Sequence, residues 1–310
     1  MMISVFSSCT TTPAGNEAAT GDADGKIGIS IVTTIFPVYD WVKNIAGTEA
    51  DVVYFDENGI DLHSFEPTAD NIITLSSADL FICIGGESDK WVDNAVKSAE
   101  NENLRVLKLM EVTGVLEEET VEGMETDDHE EADAAEYDEH VWLSLKKAQT
   151  AVDSIAGTLC EIDPENAANY RKNAADYISK LESLDSEYKS AIASAKGNTL
   201  LFADRFPFRY LTEDYAIEYY AAFPGCSAES EASFETIAFL IEKTKELGLD
   251  NIIVLEGSDR KIASTVAAET GAEIVMLDSC QSVTKKDVAD GKTYISVMEE
   301  NLKVITEALS

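Results

Sequence analysis

DPENAANYRKNAADYISKLESLDSEYKSAIASAKGN, residues 163–198, is the most regular stretch of the chain, and the fold turns on it. Asp163 is placed to cap a helix, Pro164 suits the first turn because its missing N–H would be unpaired there, and Glu165 complements the positive helix start. From there Tyr170, Ala174, Tyr177, Leu181, Leu184, Tyr188 and Ile192 recur every three or four residues, the period of one helix face. Gly197 and Asn198 supply the stop. The pattern predicts a helix of roughly 32 residues, roughly 48 Å long at 1.5 Å per residue. A helix of that length makes a stiff spine between two bodies, not a loose hinge.

On either side of it, short β-branched runs alternate with helical patterns. IGISIVTTI, VVYF, DLFICI and LRVLKL read as strands before the spine; TLLFA, IEYYAAF, NIIVLE and EIVMLD read as strands after it. VYDWVKNIAG, TADNIITLSSA, SFETIAFLIEKTKELGL and RKIASTVAAETGA read as the helices between them. Such alternation implies parallel sheets covered on both faces. The fold class is therefore α/β: two (β/α) lobes with parallel sheets, joined by one long backbone helix. The expected divisions are a tether over 1–26, an N-terminal lobe over 27–162, the linking helix over 163–197 and a C-terminal lobe over 198–310.

The chain carries 59 acidic against 23 basic residues among 310, a formal charge of −36. Such a surface repels nucleic acid and anionic membranes and suits a protein that meets cations. The acidity peaks in LEEETVEGMETDDHEEADAAEYDE, residues 116–139, which has no lysine or arginine and one histidine, His129. Like charges without apolar residues predict a mobile loop, either a solubilising insertion or a weak collector of cations. At the N-terminus, MMISVFSSCTTT is too short an apolar run for a secretory signal. Cys9 nevertheless follows two small residues, as at a bacterial lipoprotein cleavage site, and a polar tether follows it. Cys9 is thus the expected lipidation site, with the protein anchored at the outer face of a bacterial membrane. The remaining cysteines, Cys83, Cys160, Cys226 and Cys280, lack the CxxC spacing of a structural zinc cluster. Whether Cys226 and Cys280 pair is open on sequence alone.

Histidine is the rarest chemistry-bearing residue, with three in the chain. His63, in DLHSFEPTAD, follows the strand VVYF, and His140, in YDEHVWLSL, ends the acidic loop. Asp204 follows TLLFA and Asp278 follows EIVML. Ligand sites of open α/β sheets gather at strand C-termini, so these four side chains can meet in a cleft between lobes. Two imidazoles and two carboxylates suit a divalent transition ion.

The assembled motifs resemble the metal-binding lipoproteins of zinc and manganese ABC transporters (cluster A-I, the zinc-uptake branch). The resemblance runs through IVTTIFPVYDWVKNIAG, DLHSFEPTADNIITLSSADLFICIGGESDKWV, EYDEHVWLSLKKA, DPENAANYRKNA and TYISVMEENLKVITEAL. It implies capture of Zn2+, with Mn2+ as the alternative cargo, for delivery to an ABC-transporter permease. It also implies His63 and His140 as N-lobe ligands and Asp278 as an acidic ligand. The family usually carries His or Glu five residues before the tyrosine of an F-x-Y motif; here FADRFPFRY places Arg205 there, and arginine cannot ligate a cation. Asp204, one place earlier, is the expected third ligand, with a water or Glu229 as alternatives, and Arg205 then pairs with Glu256 or Glu231. Glu66 is expected to hold a ligand or its loop, and His129 to make at most a secondary contact. Trp91, Trp142, Tyr219 and Tyr220 read as core or cleft wall. A binding protein, not an enzyme, is expected; a zinc hydrolase is the competing class, disfavoured by the absence of HExxH, and a surface adhesin is a third.

Overall fold

The computed structural model describes residues 28–56, 58–60, 62–125, 136–227 and 231–310. Cys9 with the tether, His129 and Glu229 lie outside the described residues. The first sheet contains β1 (Ile29–Thr33), β2 (Ala50–Tyr54), β3 (Leu80–Cys83) and β4 (Arg105–Lys108) in the order β2-β1-β3-β4. The second contains β5 (Thr199–Phe206), β6 (Glu218–Pro224), β7 (Asn251–Leu255) and β8 (Glu273–Leu277) in the order β6-β5-β7-β8. All pairings are parallel. Parallel neighbours need crossovers, which here are helices that cover both faces and leave β3 buried along its whole length.

The spine is a 3-10 turn, Pro164–Asn166, continued by an α-helix of 28 residues, Ala167–Ser194. Tyr170, Ala174, Tyr177, Leu181, Leu184 and Tyr188 are its buried stripe, as the spacing predicts. Asp163 acts through side chains: its carboxylate accepts from Asn166 Nδ2 at 2.8 Å and from the Tyr170 hydroxyl at 2.6 Å. The preceding helix, Leu145–Ile162, folds back along the spine as a helical hairpin. Polar bonds then tie one end of the spine to each lobe. Tyr177 donates to Asp40 at 2.8 Å and Asn173 to the Ile45 carbonyl at 3.0 Å, whereas Tyr188 donates to the Met298 carbonyl at 2.6 Å. The closing helix Tyr294–Ala308 returns to the N-lobe, where Tyr294 meets Trp41 edge-on with ring centroids 5.2 Å apart. One continuous apolar core thus runs through both lobes, with smaller clusters on the outer faces of the sheets.

Asp40 gives this lobe–spine contact a pH signature. Burial pushes its carboxyl from 3.8 up to about 6, against the lowering pull of Tyr177, the Tyr294 main chain and Lys180. A carboxyl that holds its proton more tightly when folded stabilises the fold fully below its unfolded pKa and loses that contribution as pH rises through its folded pKa. The window here runs from about 4 to about 6, and the contribution is on the order of 2 kcal/mol. Asp40→Asn cannot ionise. Its melting temperature, measured metal-free across that window, is expected to depend less on pH than the parent's.

The acidic loop differs from expectation at both ends. Glu118 N–H donates to the Glu136 carbonyl at 2.9 Å and Asp138 N–H to the Leu116 carbonyl at 3.0 Å, so the two arms zip together. The first arm lies on the C-lobe along the sheet edge formed by β6, where Glu125 N–H donates to the Ala222 carbonyl at 2.9 Å. Its carboxylates are not left to repel one another. Glu119 accepts from Tyr219 at 3.1 Å and pairs with Arg209 at 3.2 Å, and Glu125 accepts from the Ser233 N–H. Charge that looks unsatisfied in sequence is answered by donors from the other lobe.

Candidate metal centre

His63 sits in the 3-10 turn Leu62–Ser64 beyond β2, and His140 immediately precedes the turn Val141–Leu143. Although 77 positions apart, they bring their Nε2 atoms to 3.4 Å. Two nitrogens bound tetrahedrally to zinc at about 2.0–2.1 Å would stand about 3.3–3.4 Å apart. The imidazole pair therefore already has the spacing of one edge of a zinc tetrahedron.

Each ring is aimed by its other nitrogen. Asp138 Oδ1 lies 3.1 Å from His140 Nδ1 and accepts the His140 main-chain N–H at 2.8 Å. Ser88 Oγ lies 2.8 Å from His63 Nδ1. Proton donation from each Nδ1 leaves a lone pair on each Nε2, the tautomer a cation requires. Ser88 is placed in turn by Glu139, whose Oε1 accepts the Ser88 N–H at 2.8 Å. This close approach needs Gly86, because a Cβ there would run into the Glu139 carboxylate. Tyr210 locks the histidine segment onto the C-lobe by donating to the Asp138 carbonyl at 2.6 Å.

A cysteine stands beside the two imidazoles. Sγ of Cys226 and one nitrogen each of His63 and His140 all lie within 4.8 Å of one another. Among the described residues no other three His, Cys, Asp or Glu donors cluster in this way. Cys226 stands in the loop after β6; its N–H donates to Glu118 Oε1 at 3.0 Å, and Arg205 Nη1 reaches the Ser227 carbonyl at 3.5 Å. A Cβ on Gly225 would lie 2.7 Å from the Phe206 carbonyl oxygen and 3.2 Å from His140 Cε1, so glycine lets this loop press against the imidazole.

The structure does not bring the two expected aspartates to this cluster. Asp204 accepts the Arg205 N–H at 2.9 Å and the Leu255 N–H at 3.2 Å, tying β5 to β7. Asp278 accepts the Cys280 N–H at 2.8 Å and pairs with Lys292 at 2.7 Å. Glu256 accepts from the Ser279 N–H at 2.8 Å and from its hydroxyl at 2.5 Å. Glu66 is exposed; Ser88 is the group that holds His63. Trp142 is fully buried, Tyr219 lies in the main core and Trp91 packs against the outer core cluster of the first sheet, so all three are core residues. Cys226 and Cys280 are both free thiols. Sequence reasoning does not single out Asp138, Ser88 or Cys226, which the structure places beside the two imidazoles. The first two lie inside quoted histidine motifs and were legible there, whereas Cys226 carries no spacing signal.

A cleft of about 460 Å³ opens from His63 and is lined by Asp204, Arg205 and Glu256 among others. Its electrostatics favour a cation. Burial pulls the His140 pKa down, but the carboxylates of Asp138, Glu139 and Glu118 outweigh it and hold the imidazole above its ordinary 6.5. Burial, reinforced by Asp278, raises Glu256 to about 7. Burial beside Glu118, Asp138 and Glu139 raises the Cys226 thiol as well. Glu139 Oε2 is buried with no hydrogen-bond partner.

Residues 31–308 match the sequence profile of ZnuA, the periplasmic zinc-uptake complex component A. The zinc-binding protein AdcA of Streptococcus pyogenes is 32% identical over 98% of this chain, which spans 59% of that protein's length. The high-affinity zinc uptake system protein ZnuA of Bacillus subtilis is 30% identical over 95% of this chain and 92% of its own. The crystal structure of the Zn(II)-bound ZnuA-like domain of Streptococcus pneumoniae AdcA superposes with a TM-score of 0.74 at 30% identity, covering 91% of this chain and 99% of that domain.

Proposed function

The chain belongs to the periplasmic zinc-uptake complex component A family, and on that premise we propose that it captures Zn2+ outside the cytoplasm and hands it to an ABC-transporter permease. The observation that carries the reading is the pair of Nε2 atoms at 3.4 Å, each ring held by a hydrogen-bond partner on Nδ1. His63 and His140 are the ligands, and imidazole suits zinc better than it suits the harder Mn2+. Anchoring through a lipid on Cys9 belongs to the same proposal; a relative from Streptococcus pneumoniae, 32% identical, is named a zinc-binding lipoprotein. Handover, not turnover, is the role, with the ion as cargo.

Capture proceeds with little relative movement of the lobes. The spine, the Trp142–Ser279 bond at 2.8 Å and the docked acidic arm all join them. The parts left to move are the short loops carrying His63 and Cys226. Elemental analysis with native mass spectrometry of the full chain is expected to find one zinc per molecule, displaced poorly by manganese. Manganese retained in preference to zinc would overturn the assignment. Deleting residues 126–135, which include His129, is expected to leave that stoichiometry intact while slowing zinc uptake at low salt, because acidic charge draws in a cation through a field that salt screens. Stopped-flow competition with a zinc chelator reads this directly. Loss of the bound zinc in the deletion variant would move the principal site into the acidic segment.

A further inference from the structure

We propose that Cys226 supplies a thiolate as the third protein ligand, making the cargo site His63–His140–Cys226 in place of a site completed by Asp204 and Asp278. The inference rests on the reading of the two histidines as zinc ligands and deepens it. The three donor atoms already lie within 4.8 Å of one another. A tetrahedral site with Zn–N near 2.1 Å and Zn–S near 2.3 Å needs N···S separations of about 3.6 Å, so closure takes on the order of an ångström. That movement falls on a loop, not on a strand or helix.

Several features converge on this thiol. The Glu118 carboxylate holds the Cys226 N–H, Arg205 reaches the next carbonyl, and Gly225 lets the loop rest on His140. The Glu139 main-chain N–H faces the sulfur and is placed to donate to a thiolate. Buried beside them, Glu139 Oε2 has no hydrogen-bond partner. The competing carboxylates are already engaged. Asp204 holds two main-chain amides, Asp278 pairs with Lys292, and neither belongs to the donor cluster. Arg205, which cannot ligate, thus acts as a positioning residue for the cysteine loop.

The binding step balances simply. The Cys226 S–H bond breaks, a S–Zn bond forms using the sulfur electron pair, and the proton leaves through the cleft to solvent. No electron is transferred. A thiolate among the ligands makes the site softer and widens the preference for zinc over manganese.

Cobalt(II) loaded into the full chain tests the assignment, because a thiolate–cobalt bond gives a charge-transfer band in the near ultraviolet that imidazole and carboxylate ligands do not. The parent and Cys160→Ser are expected to show the band. Cys226→Ser is expected to lose it while keeping the visible ligand-field bands of cobalt held by the two imidazoles. Its zinc affinity should fall by at least about tenfold, and zinc should protect Cys226 of the parent from iodoacetamide. Cobalt bound at one per chain, dependent on His63 and His140 but without the band, overturns the cysteine assignment alone. Cobalt that binds independently of His63 and His140 overturns the histidine reading beneath it. The metal-free melting temperature of Cys226→Ser, unchanged from the parent, separates ligand loss from misfolding.

Discussion

His140→Ala is expected to lower zinc affinity by more than about 100-fold, beyond the about 10- to 100-fold typical of losing a hydrogen-bond partner to a ligand. The imidazole is fully buried and supplies one nitrogen of the 3.4 Å pair, so no solvent molecule can take its place without refilling the cavity. Its removal also strands Asp138, which would keep the main-chain N–H but lose the ring. Asp138→Asn provides the comparison. It preserves volume but loses the charge that selects the Nδ1–H tautomer, and it should fall within the 10- to 100-fold range. A competition titration against a chromogenic chelator measures both. An unchanged affinity in His140→Ala, with the fold intact, would place the ion elsewhere.

Trp142→Ala is expected to destabilise the metal-free protein by about 3–5 kcal/mol, the range for emptying a large aromatic from a packed core. Trp142 is fully buried at the junction of the lobes. Its indole N–H donates to the Ser279 carbonyl at 2.8 Å, its own carbonyl accepts from Tyr294, and its ring lies 5.2 Å from His140. Calorimetry should show a melting temperature lower by on the order of 10 °C. Trp142→Phe keeps most of the volume and removes the N–H, leaving the Ser279 carbonyl without its donor, and should cost about 1–2 kcal/mol. If both variants melted like the parent, the interlobe contact would contribute nothing to the fold.

The eight strands were legible because each holds a short apolar run bounded by helical periodicity, with LFIC the plainest case. The spine was legible from one stripe of seven residues. Its start was less so: the helix proper begins at Ala167, behind a 3-10 turn. The arms of the acidic loop were misread because composition counts charges and does not see partners. Glu118, Glu119 and Glu125 are answered by Cys226, Arg209, Tyr219 and Ser233, all remote in sequence.

By itself, the sequence determined two α/β lobes on a helical spine and named two histidines, since periodicity and residue rarity are properties of the chain read in order. The tertiary structure alone decided which other side chains stand beside those histidines. Asp204 and Asp278 look like free ligands until the amides that hold the one and the lysine that pairs with the other are seen. A cysteine 86 positions beyond His140 looks like filler until β6 delivers it to the imidazoles. Ligation depends on distances of a few ångströms between segments whose separation along the chain sets no limit on how near they fold.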